Sequence, residues 1–350
     1  MSLALPGHVP LPADHQLASH RRLTTGGKPR RLRRIALFND TASSPHLGCL
    51  AVTDAHDRML ARSGIAILHR YFANYGRDLW VGSQEDSIAA VLASPLAGDL
   101  AEVDAVLINA EGTIHHDGGR HLLAIVGAAA QLGLPVFVVN AVLEDVQAEL
   151  GVLRQATDVT VRDLRSSEYL AAHDIPHRLV LDSILEARFV DTPDQDFTGK
   201  VVITDHHFNR DHDVGKLLND LREELGAEAV YYPFYDRARR GDWRHAVANL
   251  SRARLVVTAR HHGVYVAGLA GVPFVALGSN TWKIEGTLAM FGALNVCGTE
   301  QGLRREYQRA LDNPALFREF QQFLLSHRPL TTLERLAGLP ANRTLSLSLS

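Results

Sequence analysis

The stretch LVVTARHHGVYVAGLAGVPFVAL, Leu255 to Leu277, decides the fold. Its opening run, Leu255 to Val257, has the apolar character of a strand buried on both faces, and it leads directly into Thr258, Arg260, His261, His262 and Gly263. A small-residue helix follows, then a second apolar strand from Pro273 to Leu277, with Lys283 in the next turn. Strand, helix and strand at this spacing form a βαβ unit with two parallel strands. In an open parallel sheet, ligands sit at the carboxyl ends of the strands, where the next helix offers free N–H groups and its positive end to an anion. An Arg, a His and a Lys arriving at two such ends predict an anion-binding site with a proton donor in it.

The same alternation extends upstream. Strands are predicted at Ile35–Asn39, Leu79–Val81, Ala105–Asn109, Val136–Asn140, Val159–Val161 and Leu179–Leu181, with helices from Asp54 to Tyr71, Gly118 to Gly133 and Asp163 to His173. The aperiodic run Asp191 to Gly199 reads as a linker, after which Val201–Thr204 opens a second series. That series adds a helix from Asp211 to Leu225, a strand at Ala229–Tyr232 and a helix from Trp243 to Ser251. The fold class expected is therefore α/β: two Rossmann-like doubly wound domains facing a cleft, a GT-B-like plan. The divisions are 35–190 for an N-terminal, acceptor-side domain, 200–300 for a C-terminal, donor-side domain and 301–340 for terminal helices. The stretch Gln301 to Leu325 is expected to pack back across the first domain. Residues 1–34 read as a basic arm and 341–350 as a low-complexity tail.

Composition narrows the function. A chain of 350 residues, 46% apolar and 21% charged, is long enough for two cores. A net charge of −3 argues against nucleic acid as the partner. Cys49 and Cys297 are the two cysteines, which excludes a disulfide framework and suits a reducing cytoplasm. No run reaches the roughly 18 apolar residues of a membrane span, and no signal-peptide pattern opens the chain, so a cytoplasmic location is expected. The seven cations from Arg21 to Arg34 read as a solvated arm, with attraction to anionic lipid headgroups, a peripheral contact at the inner face of the membrane, as the functional alternative. The His-His pairs at 115–116, 206–207 and 261–262 lack any HExxH or CxxC companion, so no metal is expected. No Walker A or GxGxxG motif supports nucleotide binding.

Read as Arg260-x-His262-Gly263, followed by the Gly271-Val272-Pro273 turn and Lys283, the C-terminal signature resembles that of the polysaccharide pyruvyltransferase family. Further matches are Asn39-Asp40 after the first strand, Ile108-Asn109-Ala110-Glu111-Gly112-Thr113 after the third, and Val161-Arg162-Asp163 with Ser166 after the fifth. The resemblance covers about residues 35 to 300 in ordered pieces. It implies transfer of a pyruvyl group from phosphoenolpyruvate, a co-substrate needing no cofactor, to a saccharide acceptor of a surface polysaccharide or its precursor, with a lipid-linked acceptor among the candidates. In that reading His262 is the acid that protonates the donor's methylene carbon, Arg162, Ser166, Arg260 and Lys283 bind the donor, and His261 is structural. Asp40 or Glu111 serves as base, and Asn39, Asn109 and His115 contact the acceptor. Where members of the family have glycine-rich turns, this chain has Asn39-Asp40-Thr41 and Asn109-Ala110-Glu111-Gly112, which bears on acceptor identity more than on the donor. Ordinary structural roles compete at each position: ion pairs for Arg162 with Asp163 or Glu168 and for Lys283 with Glu285, a turn for Asp40, a helix start for Glu111. A nucleotide-sugar glycosyltransferase on the same plan and a non-catalytic sugar-binding relative are the alternatives.

Overall fold

The computed structural model of the protein describes residues 32–327, apart from 147–148, 208–211 and 240–241, together with Leu333. The basic arm up to residue 31 and the tail lie outside these. Arg34, which the sequence reading gave to the arm, opens the first strand.

Two parallel sheets build the molecule. The first contains β1 (Arg34–Asp40), β2 (Ala66–Phe72), β3 (Ala105–Asn109), β4 (Val136–Ala141), β5 (Asp158–Val161) and β6 (Arg178–Leu179) in the order β2-β1-β3-β4-β5-β6. Helices α1 (Leu47–Arg62), α2 (Gln84–Ala93), α3 (Leu96–Ala101), α4 (Arg120–Gln131) and α5 (Leu164–Ala172) connect them. The second sheet contains β7 (Val201–Ile203), β8 (Ala229–Tyr231), β9 (Leu255–Thr258), β10 (Phe274–Leu277) and β11 (Val296–Cys297) in the order β11-β10-β9-β7-β8. Its helices are α6 (His212–Leu225), α7 (Ala246–Leu250), α8 (His261–Ala270), α9 (Lys283–Phe291), α10 (Glu300–Asp312) and α11 (Pro314–Ser326). Central strands such as β3, β4 and β9 are buried at every position, as expected where helices cover both faces.

The structure corrects three of the expected elements. Leu79–Val81 is not a strand: Arg77–Leu79 forms a 3-10 turn, and the second strand is Ala66–Phe72, which the sequence reading absorbed into a helix running to Tyr71. The helix stops at Arg62 because Gly64 turns the chain at φ +68. An edge strand with a single buried residue carries little of the apolar signal that marks the central strands. The terminal stretch is two helices divided at Asn313-Pro314, and they stay on the second lobe rather than crossing to the first. Phe320 and Leu324 of α11 lie over Gly268 of α8, and Phe317 meets Phe274 of β10 at 5.1 Å.

The carboxyl ends of β1 and β4 share a device. Asn39 and Asn140 adopt left-handed backbone at φ 56 and 58, where each strand shifts register against its neighbour. Asn tolerates that region better than most residues, so these two positions end their strands in bulges that turn the chain toward the second lobe. One hydrophobic cluster runs through both lobes, joining Leu47, Val52 and Ile184 of the first to Tyr232, Trp243 and Tyr265 of the second. A separate cluster fills the other face of the first sheet around Val106, Ile108, Val126 and Val138.

Candidate active site at the seam of the two lobes

Among the contacts that join the lobes in the described residues, two frame the predicted site residues. At the first contact, the start of α1 docks on the second lobe: Leu47 N–H donates to Phe234 O at 2.7 Å, and His46 pairs with Tyr235 as an isolated antiparallel bridge. At the second, α5 meets α9. Asp163 caps α5 by accepting from Ser166 N–H at 2.9 Å, and Gly286 of α9 lies so near that an added Cβ would come within 2.3 Å of Asp163 Oδ1.

Arg162 follows β5 and is 2% exposed. Its Nη1 donates to Asp182 Oδ2 at 2.5 Å and lies 3.3 Å from His262 Nε2 across the seam. Burial works against the guanidinium's charge, but Asp182 and Glu111 outweigh it, so it stays ionised. His262 comes from the first turn of α8, with Nε2 3.4 Å from Asp182 Oδ2 and its ring edge against Gly48 at the start of α1. Arg260 sits just before that turn and pairs with Asp205 through Nε at 2.9 Å and through Nη2. The first turn of α8 has no side-chain cap, leaving its positive end for an anion. His262 lies inside the helix while Arg260 precedes it in extended backbone, so the two reach the seam from different conformations.

Lys283 opens α9, and its Nζ donates to Asn280 Oδ1 at 2.5 Å rather than pairing with Glu285. Burial, then the neighbouring Arg162 and Arg260, depress its ammonium to about 7. Lys283 Nζ and Arg162 Nη2 flank one small space: a Cβ added at Gly112 would lie 3.6 Å from the first and 3.7 Å from the second. Two guanidiniums and a lysine, one group from the first lobe and two from the second, thus stand about the seam that holds His262.

Glu111, in left-handed backbone after β3, is 4% exposed and faces the same region. Its Oε1 accepts from Thr41 Oγ1 at 2.7 Å and from Asn109 Nδ2 at 2.8 Å, and its Oε2 accepts from the Cys49 thiol at 3.4 Å. Burial, then Glu111, push the Cys49 thiol well up and keep it protonated. His46 accepts from Gly48 N–H at 3.1 Å through Nδ1, and burial with Arg260 and His262 nearby holds it neutral.

Several expected contacts are spent elsewhere. Asp40, proposed as an alternative base, is bound to Arg70, to Thr53 Oγ1 at 2.9 Å and to Ala42 N–H at 2.8 Å, so its lone pairs serve the first lobe. Ser166, expected on the donor, donates to Asp163 Oδ2 at 2.6 Å and accepts from Leu143 N–H at 3.0 Å and from Trp282 Nε1 at 3.3 Å, which makes it a brace between the lobes. Asn39, expected on the acceptor, donates to Asn109 O at 2.7 Å and Thr113 Oγ1 at 2.9 Å, while Asn109 holds Glu111, so both amides support the carboxylate loop. His115 stands 3.3 Å from Asn280 Nδ2, next to Lys283's partner. His261 is buried and engages Thr287 Oγ1 at 2.9 Å, with Nδ1 3.6 Å from Asp182.

Asp182, Asp205, His46, Cys49 and Asn280 escaped the sequence reading, because no motif spacing joins them to Arg260 and His262. Among the described residues, two groups could hold a metal: His46 with Cys49 and His262, and Asp182 with His261 and His262. Arg162, Arg260 and Lys283 face the same space, and their charge opposes a divalent cation there.

Two parallel α/β lobes meeting at a histidine-bearing seam have a GT-B-like architecture. The chain belongs to the polysaccharide pyruvyl transferase family, an enzyme family whose model matches residues 57–281. No curated protein sequence matches the chain significantly. Among solved structures it is similar to UDP-GlcNAc 2-epimerase from Neisseria meningitidis bound to UDP-GlcNAc, at 12% identity and TM-score 0.52 over 83% of this chain and 94% of that one. The UDP-GlcNAc 2-epimerase from Methanocaldococcus jannaschii in complex with UDP-GlcNAc and UDP aligns at 13% identity and TM-score 0.53, covering 84% and 99%. The glycotransferase of kitacinnamycin aligns at 12% identity and TM-score 0.53, covering 89% and 100%. At these identities the likeness concerns the fold. No described helix is long and apolar enough to cross a membrane.

Proposed function

We propose that the enzyme transfers the pyruvyl unit of phosphoenolpyruvate to two hydroxyls of a sugar in a polysaccharide or its precursor, forming a cyclic ketal. The observation that carries this reading is the convergence of Arg162, Arg260 and Lys283 on His262. Phosphoenolpyruvate brings a carboxylate and a phosphate, anions that suit two guanidiniums and a lysine at the open end of α8. His262, acting as the acid, delivers a proton to the donor's methylene carbon, which leaves C2 electrophilic. One acceptor hydroxyl adds to C2 and gives up its proton to Glu111, whose loop Thr41 and Asn109 hold in place. The C2–O bond to phosphate then breaks, the second hydroxyl closes the ring, and its proton passes to the departing phosphate, which leaves among the cations. Cations preorganised in a dry seam stabilise the developing charge without reorganisation.

The decisive measurement is thermal denaturation with phosphoenolpyruvate against a panel of nucleotide sugars. A donor a hundredfold above its dissociation constant stabilises the protein by about 2.7 kcal/mol. A shift with a nucleotide sugar and none with millimolar phosphoenolpyruvate would favour a glycosyltransferase instead. The companion variant is His262→Ala, expected to lower kcat by about 10² to 10⁴ while changing donor affinity less than tenfold. Near-normal turnover would remove His262 as the acid.

A further inference from the structure

We infer that Asp182 is a positioning residue, the shared counter-ion that aligns Arg162 of the first lobe and His262 of the second and holds the imidazole ready to give its proton. The inference rests on the pyruvyl-transfer reading for the identity of the reaction, and on geometry for the role itself.

Asp182 lies just beyond β6 and is fully buried. Its two oxygens have separate tasks. Oδ1 accepts from Ile184 N–H at 2.8 Å and ties the carboxylate to its own loop. Oδ2 faces the seam, 2.5 Å from Arg162 Nη1, 3.4 Å from His262 Nε2 and 3.6 Å from His261 Nδ1. Its backbone N–H donates to Tyr265 Oη at 3.2 Å, so α8, the helix that carries His262, also holds the loop that carries Asp182. Burial alone would neutralise this carboxyl, but Arg162, with His262 beside it, holds it far below the usual carboxylate range.

The other groups around His262 are Arg162, Arg260 and Lys283, which oppose an imidazolium, and His46, His261 and Cys49, which supply no negative charge while His46 and His261 are neutral and the thiol is protonated. Glu111 stands beyond Cys49. Among the described residues Asp182 is thus the carboxylate at the ring, and it opposes the guanidiniums and Lys283. It also presents Arg162's remaining N–H groups to the space beside Gly112 and Lys283.

A merely structural ion pair is the competing role, and the molecule contains a control for it. Asp158 and Arg178 join β5 and β6 through bonds of 3.1 and 2.6 Å, also buried, at the far end of β5 from Arg162. Asp182→Asn is expected to lower kcat more than tenfold and to move the alkaline limb of the pH–rate profile to lower pH, because the acid form of the ring loses its counter-ion. Asp182→Glu, which keeps the charge, restores the limb toward the wild-type position. Asp158→Asn is expected to lower thermal stability with no movement of the profile. Histidine NMR on the substrate-free protein, with the ring identified by His262→Gln, reads the same coupling apart from the reaction: Asp182→Asn moves the ring's charge change to lower pH. An unchanged charge change overturns the inference even if pyruvyl transfer stands. A shifted one sustains it even if phosphoenolpyruvate proves not to be the donor. Should Asp182→Asn fail to fold, Tyr265→Phe loosens the same loop without removing charge. A fall in kcat at constant donor KM then supports the role, and an unchanged kcat refutes it.

Discussion

Lys283 shows how burial changes the chemistry of a residue type. An ammonium is costly to bury without an anion, and Lys283 has only an amide oxygen beside it, so its proton is lost near pH 7 rather than 10.5. Between those values the unfolded chain holds a proton that the native protein has shed, so stability from this residue rises with pH from about 7 toward 10.5, and the full cost is felt below 7. Lys283→Met is therefore expected to be more stable than wild type at and below neutral pH, by roughly 2 to 5 kcal/mol, with the advantage fading toward pH 10. Urea denaturation of the pair at pH 6, 8 and 9.5 checks this, and a constant difference would refute it. The donor's phosphate beside Lys283 would restore the proton. Calorimetric titration with phosphoenolpyruvate at pH 8 is accordingly expected to take up about one proton, seen as heats that vary with buffer ionisation and lost in Lys283→Met. Buffer-independent heats in the wild type would mean that Lys283 stays charged throughout.

At the scale of an element, the start of α1 is shaped around a ring on the other lobe. An alanine Cβ at Gly48 would fall 2.1 to 2.3 Å from Nδ1, Cγ and Cβ of His262, so the ring or the helix must move. Glycine to alanine within a helix ordinarily stabilises by up to about 1 kcal/mol. Gly48→Ala is expected to do the opposite, costing about 1 to 3 kcal/mol by overpacking and lowering turnover at least tenfold. Gly98 of α3 has nothing within 4 Å of its added Cβ, and Gly98→Ala is expected to be neutral or stabilising. Denaturation and turnover measured on both variants test the contrast, and equal behaviour would show that the seam yields easily. The elements themselves were largely legible. Val136–Ala141 and Leu255–Thr258 are apolar at nearly every position because both faces are covered, and Asp163 announces α5 by capping it. The edge strand Ala66–Phe72 was not legible, since a half-exposed strand lacks that run.

For the whole molecule, the hydrophobic cluster shared by the lobes argues for a single cooperative unit. Calorimetric unfolding is expected to show one transition, and two well-separated peaks would mean that the lobes unfold independently. Under the proposed reading, phosphoenolpyruvate is expected to move that single peak upward without splitting it, because its anions would meet cationic side chains from both lobes.

The residue pattern by itself determined the parallel α/β plan in two series, the placing of Arg162, Arg260, His262 and Lys283 beyond strand ends, and the family resemblance. Each of these depends on local periodicity or on spacing within one βαβ unit, which a linear chain displays. Tertiary structure alone decided which groups face one another. It put Asp182 between Arg162 and His262, engaged Arg260 with Asp205, committed Asp40 to Arg70 and Ser166 to Trp282, and gathered His46 and Cys49 beside His262. These partners come from segments far apart in the chain, and a short polar side chain looks the same in sequence whether it ends in water, in an ion pair or against a reacting group. Only the meeting of the two lobes distinguishes these cases, because burial at the seam makes each charge depend on its neighbour.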